Sequence, residues 1–280
     1  MKKVSSVEFK KRNITIWNEV APRYHKRWAS TKLGPFQSTD KLIQLIHPKK
    51  GDRVLDIACG TGAVTKKLIP KVRGTGLVVG ADTSITALKL AKKSNKKSTN
   101  LLFINMDAEK FSFNGKFNII TCQYALFFFP KALTALKNMK KYLVKSGKLG
   151  VSVHGNNVPF FTSTLNAVTQ FIPDYILPGA PALDRYSTKN ALKQEVKKAG
   201  FSNIIVKDFV FKYSPGKFED YWKNYLQYIP KPLKIKLDSL EKSEKRQLRE
   251  LIKENTKPFT KRNEKIEFPW EVLILTAKNE

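Results

Sequence analysis

The segment Val54-Leu55-Asp56-Ile57-Ala58-Cys59-Gly60-Thr61-Gly62 constrains this chain more than any other. Val54, Leu55 and Ile57 form a short apolar run, the pattern of a parallel strand covered on both faces. Gly60 and Gly62 allow a tight turn and a close approach of backbone to a ligand. Residues 63–69 then read as a helix whose N-terminus faces the turn. Free N–H groups and the helix dipole there favour an anionic ligand group. The unit predicts an α/β sheet with a nucleotide-like ligand at the strand ends. The dinucleotide fingerprint G-x-G-x-x-G fails at its third glycine, where Thr65 stands. A plain turn is the competing reading of any lone G-x-G.

At 280 residues, 41% of them apolar, the chain can bury a sizeable core and is not disordered by composition. No apolar run approaches the roughly 18 residues of a membrane span. Met1 to Asn13 is basic but has no apolar signal-peptide core, so a cytoplasmic protein is expected. Cys59 and Cys122, the two cysteines, stand in no metal-like spacing, and with three histidines no metal site is predicted. The net charge of +29 leaves nucleic acid and an anionic membrane surface open as partners. The charge is mostly lysine, however, and is scattered in pairs such as Lys66-Lys67 and Lys140-Lys141. Scattered lysine reads as a solvated surface. Nucleic acid is therefore not the favoured partner, and only peripheral contact with an anionic membrane is expected.

Taken in order, residues 1–14 look frayed, and Ile14 to Ile46 reads as one or two helices. Gly76 to Asp82 is a second buried strand ending in an acid. A carboxylate there can accept both ribose hydroxyls, although a strand-end Asp also caps the next helix. Leu101 to Met106 and Phe117 to Gln123 read as strands three and four. Residues 131–144 read as an amphipathic helix stopped at Ser146-Gly147. Lys148 to His154 is strand five, which places His154 at the C-terminal sheet edge. Ser187 is expected to cap a helix running to Lys198. Phe201 to Tyr213 and Trp270 to Ala277 are strands six and seven, with a long basic helical stretch between them.

These motifs together resemble the class I S-adenosylmethionine-dependent methyltransferases, in particular the small-molecule, quinone- and lipid-type members. The first family motif, hhDhGxGxG, matches through Asp56, Ala58, Gly60 and Gly62, with Ala58 where the first glycine usually stands. Asp82, Ser84, Leu88 and Ala91 match D-x-S-x-x-x-L-x-x-A. Trp17, Ala21 and Tyr24 match a W-x-x-x-A-x-x-Y lead-in, which in the family lids the cofactor and lines the site. Residues 122–130, Cys-Gln-Tyr-Ala-Leu-Phe-Phe-Phe-Pro, resemble C-Q-x-x-L-x-F-F-P. The [DN]-P-P-[FY] motif of adenine amine methylation is absent, and Asn118 replaces a frequent Asp.

The resemblance implies a Rossmann-like doubly wound seven-stranded sheet of order 3-2-1-4-5-7-6, last strand antiparallel. It implies a lid over 1–47, a cofactor-binding core over 48–155, and the remaining strands over 156–280 with helical cap insertions at 155–186 and 215–268. S-adenosylmethionine is the implied cofactor, held by Tyr24, Asp56, Ala58, Gly60, Thr61, Gly62, Asp82, Thr83, Asp107, Ala108 and Gln123. Asp107 would accept from the adenine amine. A small, apolar or aromatic methyl acceptor is expected; an RNA acceptor is the alternative that the charge favours. His154 and Tyr24 are the catalytic candidates, with His25 in reserve. His154 is weighed as a general base, against the reading that it satisfies strand-end backbone. The cap aromatics Phe160, Phe161, Phe171, Tyr175, Tyr221, Trp222, Tyr225 and Tyr228 are expected either to line an acceptor pocket or to pack the added helices.

Overall fold

Apolar residues on both faces of the central strands force helices onto both sides of the sheet. The computed structural model describes residues 4–29, 34–173, 181–182, 184–229 and 231–280. Its seven strands are β1 (Arg53–Ile57), β2 (Leu77–Asp82), β3 (Leu101–Asn105), β4 (Phe117–Gln123), β5 (Leu143–His154), β6 (Ser202–Gly216) and β7 (Ile266–Lys278). They stand in the order β3-β2-β1-β4-β5-β7-β6. The first five run parallel, and β7 runs antiparallel between β5 and β6. This is the sheet that the motifs predict. The order reverses at β1, so a crevice opens beyond the C-terminal ends of β1 and β4.

Helices α3 (Ala63–Leu68), α4 (Ile85–Ser94), α5 (Ala132–Tyr142) and α7 (Lys189–Lys198) join the strands, and α2 (Thr39–Ile46) packs on β5 through Leu42 and Ile46. Helix α6 (Pro159–Phe171) follows β5, and α8 (Phe218–Tyr228), α9 (Lys231–Ser239) and α10 (Lys242–Thr256) fill the connection from β6 to β7. Helices α6 and α10 are tied by Ser163 and Asn255, each bonding the other's backbone. Among the described residues no helix is long and apolar enough to cross a membrane.

Three local expectations are corrected. Residues 1–14 are not frayed as a block. Helix α1 spans Ser6–Tyr24, and its cap Ser5 accepts from the Glu8 N–H. The signal was present as Ser5-x-x-Glu8, half of a capping box. Helix α5 stops at Tyr142, not at Ser146-Gly147, because Leu143 already pairs with Phe117 as strand. Thr188, not Ser187, caps α7, its hydroxyl accepting from the Ala191 N–H. Asn118 sits at the far end of β4 from the crevice, accepting from the Arg53 N–H.

Candidate functional site

The turn after β1 is left-handed at Ala58 (φ 51°), Gly60 (φ 55°) and Gly62 (φ 88°). Ala58 therefore carries the strain that glycine would avoid at its position. Asp56 is 1% exposed. Its two oxygens accept from the Thr65 and Thr121 hydroxyls at 2.6 and 2.8 Å. It lies beneath the turn and ties β1 to α3 and β4; burial pushes its carboxyl up to about 6. Asp82 reaches across from β2. It accepts from the Gly60 N–H at 2.8 Å and the Ser84 N–H at 2.7 Å. The Thr83 backbone also bonds it, which still leaves lone-pair capacity on the carboxylate for a further donor. A Cβ built on Gly60 would have no protein atom within 4 Å, so the turn borders open space. A Cβ on Gly62 would instead touch Ala91 at 3.4 Å.

Helix α1 and the π turn after it (His25–Ala29) cross the ends of three strands. Lys10 bonds Asp107 and Glu109 after β3, at 2.7 and 2.6 Å. The Asn18 oxygen accepts from the Ser84 hydroxyl and the Thr86 N–H after β2. His25 Nδ1 lies 2.8 Å from the Thr61 hydroxyl after β1. Burial and the nearby Lys66 charge lower the His25 pKa. Positions 10, 18 and 25 share one helical face, which the near-heptad spacing explains. Glu109 also accepts from the Lys131 N–H at the start of α5, so Lys10 offsets a carboxylate that is otherwise buried.

Beyond β4 the walls become aromatic. Tyr24 meets Trp17 and Phe36 edge-on, and Trp17 meets Phe128. Burial raises the Tyr24 phenol, so it stays protonated at neutral pH. Gln123 is 8% exposed; its amide donates to the Thr39 hydroxyl, and its Oε1 is buried with no partner among the described residues. Tyr124 holds a left-handed φ of 55°, and its Oη lies 2.6 Å from Ser38 Oγ and 2.8 Å from Pro35 O. Strain at a strand end is often found at ligand sites. His154 stacks on Tyr124 with ring centroids 4.6 Å apart. Arg185 donates to the carbonyls of Leu126 and Phe129, pinning the 3-10 turn Leu126–Phe128 from outside.

The structure thus gathers Thr61, Asp82, Thr83, Asp107 and Ala108 at three adjacent strand ends, with Tyr24, Gln123 and His154 on the β4–β5 side. Of the cap aromatics, Phe160 and Tyr221 pack with Trp270 and Phe268 in the core, and Trp222 stacks on Tyr225. Phe161, 42% exposed, reaches His154. Tyr175 and the Tyr228 side chain lie outside the described residues. Lys10, Asn18, Ser38 and Arg185 were not anticipated as site residues. Lys10 follows from recognising α1's true start; Arg185 carries no local signal.

A nucleotide-type crevice with an acid at the ends of both β2 and β3 and an open glycine turn defines the class: a Rossmann-like sheet that takes a nucleoside-type cofactor. Residues 54–147 match the family model described as a methyltransferase domain. Over 206 residues the chain is 30% identical to the demethylmenaquinone methyltransferase of Staphylococcus aureus, covering 69% of this chain and 81% of that protein. The corresponding protein of Staphylococcus saprophyticus is 26% identical over 205 residues, covering 69% and 84%. Solved structures share the fold. The YcgJ protein of Bacillus subtilis superposes with a TM-score of 0.57 at 17% identity, over 87% of this chain and 98% of that one. Phosphoethanolamine N-methyltransferase 2 of Haemonchus contortus, solved with S-adenosyl-L-methionine, gives 0.58 at 15% identity, over 99% of this chain and 60% of that one. The chain belongs to the S-adenosylmethionine-dependent methyltransferases. The residues present fit that cofactor: the Gly60 face is open, Asp82 has lone pairs to spare, and Gln123 Oε1 awaits a donor.

Proposed function

We propose that this enzyme methylates an apolar, ring-bearing acceptor of the quinol class, working in the cytoplasm with its lysine-rich surface able to meet anionic headgroups. The observation that carries the reading is the aromatic wall of Phe127, Phe161 and Trp270 around His154, next to the cofactor turns. Aromatic side chains gathered around one polar ring are the chemistry that suits a flat apolar acceptor, and the staphylococcal relatives are named for a quinone substrate. RNA would require a basic face; here the lysines are dispersed through the sequence.

When bound, the cofactor supplies an activated methyl group on a sulfonium. The protein's own part is alignment and exclusion of water. Asp82 would accept the ribose hydroxyls while still holding the Gly60 N–H. Asp107 would accept from the adenine amine, sharing its carboxylate with Lys10. Gln123 Oε1 would accept from the amino-acid end. Thr61, Gly62, Thr83 and Ala108 would line the cleft with backbone, while Asp56 and Ala58 set the turn's shape. Tyr24, Trp17 and Phe128 would close the cleft against solvent. The test is calorimetric titration with S-adenosylmethionine, followed by methyl transfer to 1,4-dihydroxynaphthalene kept reduced, read as the mass of one added methyl. Absence of cofactor binding by the folded protein would refute the reading.

A further inference from the structure

His154 was weighed as a general base, but its hydrogen bonding gives it the opposite polarity. The indole Nε1–H of Trp270 points at His154 Nδ1, 3.1 Å away. An indole nitrogen can only donate, so Nδ1 must offer its lone pair. In the neutral ring the proton then sits on Nε2. The neutral form is enforced by surroundings. Tyr124 stacks on one face of the ring, and Phe127, Phe161 and Trp270 stand within 5.2–5.7 Å of its centroid. Burial lowers its pKa to about 3.

Among the described residues no acid is hydrogen-bonded or ion-paired to the ring. Glu271, on the same stretch of β7, is engaged by the Asn157 N–H. Tyr124, the titratable group in contact, stays protonated because burial raises its phenol, and its Oη is turned away to Ser38 and Pro35. The rings that the 3-10 turn, α6 and β7 bring to it are Phe127, Phe161 and Trp270, none of them titratable. Nε2–H has no hydrogen-bond partner among the described residues, and His154 keeps some exposure to solvent, so this donor is left free. A fixed, unpartnered N–H among aromatic rings suits an oxygen carrying charge.

We propose that His154 donates from Nε2–H to an oxygen anion of the methyl acceptor, so that the enzyme takes a phenol or naphthol as its phenolate or naphtholate. This rests on the quinol-class reading above. On binding, the acceptor's O–H bond breaks, its proton leaves to solvent, and the electron pair stays on oxygen, where the imidazole N–H holds it. The ring so charged is the better nucleophile toward the sulfonium methyl. Trp270 is the positioning residue, because its indole fixes which histidine nitrogen carries the proton.

The test uses 1-naphthol, whose anion absorbs at longer wavelength than the neutral form. It is titrated optically on the enzyme with S-adenosylhomocysteine bound, so that no turnover occurs. Bound to the wild type, naphthol should ionise at least one pH unit below its free value, a tenfold shift. His154→Ala should return it to the free value. His154→Gln, whose amide can still donate, should keep part of the shift; melting curves of both variants establish that they fold. Trp270→Phe, which keeps a ring but removes the donor, should reduce the shift of the naphthol that binds, whatever its affinity. Three outcomes overturn the proposal: naphthol that does not bind the wild type, an unshifted bound naphthol, or an equal shift in His154→Ala. If these occur while cofactor binding and methyl transfer to 1,4-dihydroxynaphthalene persist, only this proposal falls. Loss of those activities in the wild type would instead refute the function proposed above.

Discussion

Gly60→Ala separates the role of the glycine turn in folding from its role in binding. The residue has φ 55°, where a side chain is strained. That strain costs about 1–2 kcal/mol, and the stiffer unfolded chain returns about 0.4–1 kcal/mol. The net loss is thus about 1 kcal/mol, or roughly 2–4 °C in melting temperature for a protein of this size class. No steric cost adds to it, since the new Cβ meets no protein atom within 4 Å. The neighbouring Ala58 already tolerates φ 51°. The methyl would, however, project into the space argued to hold the cofactor. Calorimetric affinity for S-adenosylmethionine should fall at least tenfold, about 1.4 kcal/mol. Gly62→Ala is the internal comparison: it is strained too (φ 88°), but its Cβ points at Ala91, so its affinity loss should be smaller. Wild-type affinity in a folded Gly60→Ala protein would mean that the open space is not the cofactor's, and the reasoning would fail.

Asp82→Asn should abolish measurable cofactor binding and also lower the melting temperature, because an amide nitrogen would confront one of the N–H groups, Gly60 and Ser84 among them, that Asp82 now accepts. Lys10→Met should destabilise by roughly 1–3 kcal/mol in urea denaturation, leaving Glu109 with one N–H partner, and should speed cofactor dissociation in stopped-flow traces. Its rescue by Lys10→Arg would support the charge argument. Arg185→Lys should raise the acceptor KM more than it lowers cofactor affinity, since one ammonium cannot hold both the Leu126 and Phe129 carbonyls in the same way. Stability against pH should carry two opposed slopes. His154 has its pKa lowered from 6.5 to about 3, so its contribution is full above pH 6.5 and is lost on acidification toward 3. Asp56 is raised from 3.8 to about 6, so its contribution is full below pH 3.8 and is lost as pH rises through 6. Urea midpoints of His154→Gln between pH 4 and 6 should lose the first slope, at most about 1.4 kcal/mol per pH unit, and keep the second.

Much of this protein was legible in the chain before any coordinates. The strands at 54–57, 77–82 and 117–123, the glycine turn, and acids at the ends of β2 and β3 all depend on neighbours in sequence. Apolar period, turn residues and caps are local properties, so they survive being read one segment at a time. Family resemblance then supplied the strand order and the cofactor. Sequence reading missed at Ser5, where a cap begins a helix in a stretch read as frayed, and at Leu143, where strand pairing outweighs helical periodicity.

What the sequence could not decide was which side chains meet. Asp56 is conspicuous in the motif, yet its oxygens are taken by Thr65 and by Thr121 of another strand. Lys10 finds its carboxylates 97 and 99 positions away, and Trp270 fixes the proton of a histidine 116 positions earlier. His154 stood out by its place at a strand end, and that placement held. Its direction as a donor was set by an indole that only the pairing of β5 with β7 brings alongside. Local propensity writes the strands and turns, while the chemistry of a site depends on partners that distant segments deliver when the sheet closes.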